Sequence, residues 1–126
     1  MNLDARHCLT GVSPLHTAVS CEDPDVRIVR LLLEHGADPN ARDRDDRTSL
    51  HYAAFYRHYE IVKLLLDYGA NLCARDRNGR TPAGYARALV HYYKTKHRSL
   101  INYVKVHNYY KISELLEKLE ENPEHY

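Results

Sequence analysis

Tryptophan is absent from this chain of 126 residues, and phenylalanine and methionine occur once each. With only five glycines and five prolines, the composition excludes collagen-like and low-complexity classes and fits one globular domain with a modest core. Cysteine is scarce: Cys8, Cys21 and Cys73 are odd in number and far apart, which argues against a disulfide framework and for a reducing compartment. No apolar run approaches the ~20 residues that cross a bilayer; the longest, around Ile28-Val29 and Leu31-Leu32-Leu33, is interrupted by Arg30. Met1 to Arg6 lacks the apolar stretch of a signal peptide. The expected setting is therefore cytoplasmic or nuclear, and a protein delivered into a host cell would read the same way. No membrane partner is expected.

Charge is nearly balanced in total and unevenly placed. The formal net charge is +1, but residues 1–74 carry −3, residues 75–111 carry +8 and residues 112–126 carry −4. The middle segment has nine basic groups against Asp76 alone. Tyrosine is the residue in excess, with eleven copies.

The decisive pattern is self-similarity. Arg47-Thr48-Ser49-Leu50-His51 returns 33 residues later as Arg80-Thr81-Pro82-Ala83-Gly84. Glu34-His35-Gly36-Ala37-Asp38 returns at the same period as Asp67-Tyr68-Gly69-Ala70-Asn71, and Ala41-Arg42-Asp43 as Ala74-Arg75-Asp76. Ser13-Pro14-Leu15-His16 opens a further copy 35 residues before the next, with two extra residues near Glu22 to Asp25. Each unit reads as a turn, a short helix, a loop and a longer helix. Thr48 and its equivalents suit a helix N-cap, and Pro14 and Pro82 follow where a missing N–H costs nothing. Ala53-Ala54 lets short helices approach closely, while Ile61, Val62, Leu64, Leu65 and Leu66 recur at helical spacing. Gly36 and Gly69 end the longer helices in a left-handed cap, and Asp46 and Gly79 suit turn positions of positive φ. Such a module cannot bury its leucines alone.

These residues resemble the ankyrin repeat, a 33-residue unit with Gly-x-Thr-Pro-Leu-His, a helix pair and Gly-Ala-Asp before the next turn. The resemblance covers roughly residues 9–90. It implies an all-α solenoid of helix-turn-helix units joined by β-turn loops, one domain over 1–126, with repeats at about 9–42, 43–75 and 76–90 onward. In the third unit Ala83 replaces the usual Leu, Gly84 the His and Arg87 the second small residue, and Lys94 stands where the second helix needs an apolar side chain. Residues 91–121 read as a divergent helical cap. His97 to His107 is expected to form one helix that buries Leu100, Ile101 and Val104. Tyr110 to Glu121 is expected to form another, with Ile112, Leu115, Leu116 and Leu119 on one stripe and Pro123 beyond its end. Lys111-Ile112-Ser113-Glu114-Leu115-Leu116 looks like a repeat's second helix displaced by about eighteen residues.

Residue chemistry points away from catalysis. There is no Gly-x-Ser-x-Gly, no phosphate-cradling glycine loop and no His-Glu-x-x-His. His7-Cys8 lacks a second ligand pair, and Asp43-Arg44-Asp45-Asp46 lacks the calcium loop and its terminal Glu, so neither metal nor other cofactor is expected. The resemblance implies that His16 and His51 bond backbone between units, and that Asn40 occupies a position that can be hydroxylated in ankyrin proteins. It further implies a concave binding face of turn tips and short-helix surfaces. The candidate partner-binding residues are Arg44, Asp45, Arg47, Phe55, Tyr56, Arg77, Asn78, Arg80 and Leu89, with Val12, Ser20, Cys21 and Ala88 on the same face. Phe55 and Tyr56 are adjacent, so one short amphipathic helix cannot bury both, and Tyr with Arg is the composition of interface hot spots. Tyr59 and Tyr68 read as packing over loops. The expected function is a non-catalytic protein–protein interaction module for a protein partner, one with an acidic patch fitting the basic segment, and with no small-molecule substrate. The alternative is a nucleic-acid or anionic-surface binder using residues 75–111, where basic and aromatic residues interleave.

Overall fold

The computed structural model describes residues 11–96 and 100–121, all of whose regular elements are helices. They are α1 (Pro14–Val19), α2 (Val26–Glu34), α3 (Ser49–Phe55), α4 (Tyr59–Asp67), α5 (Pro82–Lys96) and α6 (Leu100–Glu121). The helices pack pairwise as α1 with α2, α3 with α4, and α5 with α6. Successive pairs stack, α1 on α3 and α3 on α5 in an inner layer, α2 on α4 and α4 on α6 in an outer layer. One core runs through all three pairs, from Leu15, Val19 and Val29 through Leu50, Ile61 and Leu65 to Ala83, Ile112 and Leu116.

The local devices expected of each unit are present. Ser13 caps α1, accepting from the His16 N–H at 3.3 Å, with Pro14 at the first helical position. Gly36 and Gly69 adopt φ of +95° and +90° just past α2 and α4, and Asp46 and Gly79 adopt +60° and +78° in the turns. Ala53 and Ala54 are fully buried, which permits the close approach of α3 to α1 and α5.

The third pair differs from the first two. Residues 89–96 extend α5 beyond the length of α3, because Val90 stands where Arg57 turns the chain at positive φ after α3. In α6, Ile112, Leu116 and Leu119 are buried and Leu115 is half-buried, so its C-terminal half takes the outer-helix place that α2 and α4 hold. Its N-terminal half runs back along the α5 extension, with Tyr93 stacked on Tyr109 at 5.8 Å, while Arg87 pairs with Glu117 of the C-terminal half at 3.3 Å. The expected break between two helices near residues 108–109 does not occur. A single helix spans both because its residues mediate contacts at each end, with α4 and with the α5 extension. Val104, expected to be buried, is more than half exposed, since Tyr93 and Tyr109 fill the α5–α6 seam at that level. The notional cap boundary at residue 91 falls inside α5. Residue His97 and residue Pro123 lie outside the described residues, as do the side chains of Leu100 and Ile101.

Candidate functional site: the concave face

Between units, the turn residues are held by a bonding pattern that repeats at 33 residues. His16 Nε2 donates to the Arg47 carbonyl at 2.8 Å, and His51 Nε2 donates to the Arg80 carbonyl at 2.8 Å. In each ring Nδ1 accepts a backbone N–H, from Ser13 and from Thr48, both at 3.1 Å. Both imidazoles are therefore neutral with the proton on Nε2, and burial pushes the His51 pKa down in keeping with this. Asn40 makes a second bridge: its Nδ2 donates to the Gly69 carbonyl at 3.1 Å and its Oδ1 accepts the Asn71 N–H at 2.7 Å.

Inside each turn a buried carboxylate organises the backbone. Asp43 Oδ1 accepts N–H groups of Asp45 and Arg47, and Asp76 Oδ1 those of Asn78 and Arg80, all at 2.9 Å. Burial opposes the Asp43 charge, but the Tyr52 hydroxyl and the Arg47 N–H and guanidinium hold its carboxyl below the usual carboxylate range. Asp76 is held low in the same way, against its burial, by the Tyr85 hydroxyl and the Arg80 and Asn78 N–H groups. Tyr52 and Tyr85 are pushed up in turn, first by burial and then by the carboxylate each one bonds.

Tyr52 and Tyr85 are thus turn fasteners. Their signal was present in the sequence, since Asp43–Tyr52 and Asp76–Tyr85 are both nine residues apart and return at the repeat period.

The candidate residues fall into three groups. Arg44, Asp45, Arg77, Asn78 and Arg80 lie exposed at the turn tips. Asp45 bridges two tips there, meeting Arg47 at 3.0 Å and Arg77 at 3.7 Å, while its carbonyl accepts the Arg77 N–H at 2.8 Å. Arg47 is half-buried, paired with Asp43 at 3.1 Å and lying over the Tyr52 ring. On the inner helices Phe55 is 47% exposed, whereas Tyr56 is half-buried, edge-on to Phe55 and stacked against His58. Ala88 is exposed, and Leu89, Val12 and Ser20 are half-buried.

A network absent from the sequence reading holds the far end of α3. Arg57, at φ +66°, pairs with Glu22 at 2.5 Å, His58 Nε2 donates to the Cys21 carbonyl, and the Tyr109 hydroxyl donates to the Phe55 carbonyl at 2.5 Å. Burial pushes the His58 pKa down. The two extra residues of the first unit therefore reach across to the second, and α6 reaches back to the end of α3. This fixes the backbone beneath Phe55 from both sides.

Comparison with known proteins agrees with this geometry. The family model for ankyrin repeats (three copies) matches residues 1–76. The chain belongs to the ankyrin-repeat family. Among its relatives, the zebrafish (Danio rerio) protein fem-1 homolog C is 42% identical over 62 residues, covering 40% of this chain and 10% of that protein. The Arabidopsis thaliana ADP-ribosylation factor GTPase-activating protein AGD2 is 49% identical over 49 residues, covering 39% of this chain and 6% of that protein. Bovine (Bos taurus) fem-1 homolog A is 42% identical over 55 residues, covering 35% and 8%. The match thus spans a tenth or less of these relatives, and that with AGD2 is confined to the repeats. Ankyrin repeats are generally protein–protein interaction modules and generally non-catalytic. Among the described residues no cluster of three or more His, Cys, Asp or Glu side chains could hold a metal, and no helix is long and apolar enough to cross a membrane.

Proposed function

We propose that the concave face binds a partner protein, with Phe55 as its apolar anchor and the turn-tip residues Arg44, Arg77 and Asn78 as its polar rim. The observation that carries this reading is the half-exposed Phe55 ring on a backbone anchored by Tyr109 and Arg57. A rigid aromatic beside exposed guanidinium groups orders little on binding and gains much from desolvation. Tyr56 supports the Phe55 ring edge-on and contributes part of its own surface. The basic residues of α5 and α6 speed the encounter with an acidic patch on the partner.

The anionic-surface alternative finds less support. Lys105 lies over Tyr93, Lys94 over Tyr110 and Lys111 over Tyr59, so these rings and cations satisfy one another. Tyr93 and Tyr59, half-buried and covered in this way, offer a poor platform for stacking nucleobases.

The test is capture of binding proteins from native cells, followed by rate measurements on Phe55→Ala and Lys94→Glu/Lys105→Glu variants. Phe55→Ala should raise the dissociation rate about tenfold, the effect of a hot spot of ~1.4 kcal/mol. The charge reversals should mainly slow association. A partner whose affinity is untouched by Phe55→Ala and abolished by charge reversal would replace this reading with the anionic one.

A further inference from the structure

Two departures from the repeat meet on the loop side of the second unit. The first unit carries two extra residues near Glu22 to Asp25, and the α5–α6 extension runs past the end of α3. Between them lie adjoining cavities of about 420 and 340 Å³, which share Glu22, Arg57, His58 and Asn108 and so form one groove. Its floor is the chain reversal at Arg57, a non-glycine residue at φ +66°, and strained backbone of this kind collects at binding sites. Glu22 holds the Arg57 side chain there, and the Cys21 carbonyl holds His58.

The two ends of the groove differ in chemistry. One is lined by the Tyr56 ring and by Val104, which is 54% exposed, with Lys105 drawn over the Tyr93 ring at 5.5 Å. At the other end the carboxylates of Glu22, Asp23 and Glu60 outnumber the cations of Arg57 and Lys111. Glu22 is paired with Arg57 and Glu60 with Lys63, while Lys111 lies on the Tyr59 ring at 4.2 Å. Exposed Asp23 is in no ion pair among the described residues. Half-buried Asn108 lines both cavities, and its amide makes no hydrogen bond among the described residues. A carboxamide offers a donor and an acceptor side by side, the complement of what one residue of an extended chain presents along its edge. Val104 and Lys111 are seven residues apart on α6, about 10 Å, which is the reach of roughly three extended residues.

We infer that this groove takes an extended segment of the partner, its backbone bonded by Asn108. An apolar side chain of that segment sits between Tyr56 and Val104, and a Lys or Arg about three residues away sits beside Asp23. The inference rests on the reading of the chain as a partner-protein binder and adds a second point of contact, round the end of α3 from Phe55. Tyr56 joins the two, edge-on to Phe55 and lining the groove.

The test selects short random peptides displayed on phage against the full chain and against its Phe55→Ala variant, and measures the enriched peptides by fluorescence anisotropy. Peptides with an apolar residue and a Lys or Arg about three positions apart should be enriched on both. Asn108→Ala and Asp23→Lys should each weaken them about tenfold, and changing the peptide's basic residue to Glu should restore binding to Asp23→Lys. Neither substitution removes a bond within the fold, so the Tm of each variant should match that of the parent chain. Enriched peptides that lack this pattern, or that bind both variants unchanged, would overturn the inference. Peptides lost on Phe55→Ala alone would place the segment on the concave face, overturning the groove and leaving the proposed function intact. Failure to enrich any peptide would also overturn the groove, and the dissociation rates of captured partners would still judge Phe55 separately.

Discussion

Leu116 tests whether α6 is part of the repeat stack or an appendage to it. The side chain is fully buried, at the place Leu65 holds in the second unit, and belongs to the same core as Ile61, Leu65, Ala83 and Ala86. Leu116→Ala removes the burial of its side chain and opens a cavity between α4, α5 and α6. Such changes cost about 2–5 kcal/mol, a large share of the roughly 5–15 kcal/mol that stabilises a typical domain. With a urea slope of roughly 2 kcal/mol/M, the unfolding midpoint should fall by about 1–2.5 M. The assay is urea unfolding followed by far-UV circular dichroism, with amide exchange read separately at Val29 and Leu65. In a cooperative stack the loss appears at both amides, since each unit depends on its neighbours for burial. A fall in protection confined to α6, with Leu65 unchanged, would refute the assignment of α6 as the third outer helix.

Two further outcomes follow from the bonds between units. The folded His51 pKa lies below its unfolded value of about 6.5, so the unfolded chain takes up the proton first and stability falls as pH drops below that value. Asp43 and Asp76, held low in the fold, add a second loss as pH falls below about 4; urea midpoints from pH 8 to pH 3 should show both limbs, and His51→Gln should reduce the upper one to the part that the half-buried His58 contributes. Asn40→Ala removes both bonds to the second unit and should cost about 1 kcal/mol with faster exchange at the Asn71 amide; an unchanged urea midpoint would show that water replaces the bridge without loss.

Legibility in the sequence followed the period. His16 and His51, Gly36 and Gly69, and the aliphatic stripes of α2 and α4 return at repeat spacing, and each sits where the repeat requires it. Helix ends set by tertiary contacts were not legible. Helix α3 stops at Phe55 without a glycine: Arg57 adopts positive φ, and its guanidinium is held by Glu22 and Tyr109, residues 35 and 52 positions away. Where those partners are missing, at the equivalent point of α5, the helix simply continues. The arrangement of the cation-rich segment was not legible for a related reason. Composition showed basic and aromatic residues interleaved, but not that α5 and α6 fold back on each other and turn the lysines onto neighbouring rings.

That folding back links the extension to the binding face. The extra turns of α5 and α6 add about eighteen residues between the two helices of the third unit, and Tyr109 ties them to the second. Its ring stacks on Tyr93, its hydroxyl donates to the Phe55 carbonyl, and Arg57 lies over its face. A loop of ordinary length at this point would leave the C-terminal end of α3 open to solvent, with the Phe55 carbonyl among the unpaired groups of a helix end. The extension instead closes that end and braces the residue proposed to meet the partner. With Phe55 as the proposed anchor, its binding strength should depend on Tyr109 although Tyr109 is itself buried, because a residue whose backbone is held in place loses less entropy when it docks.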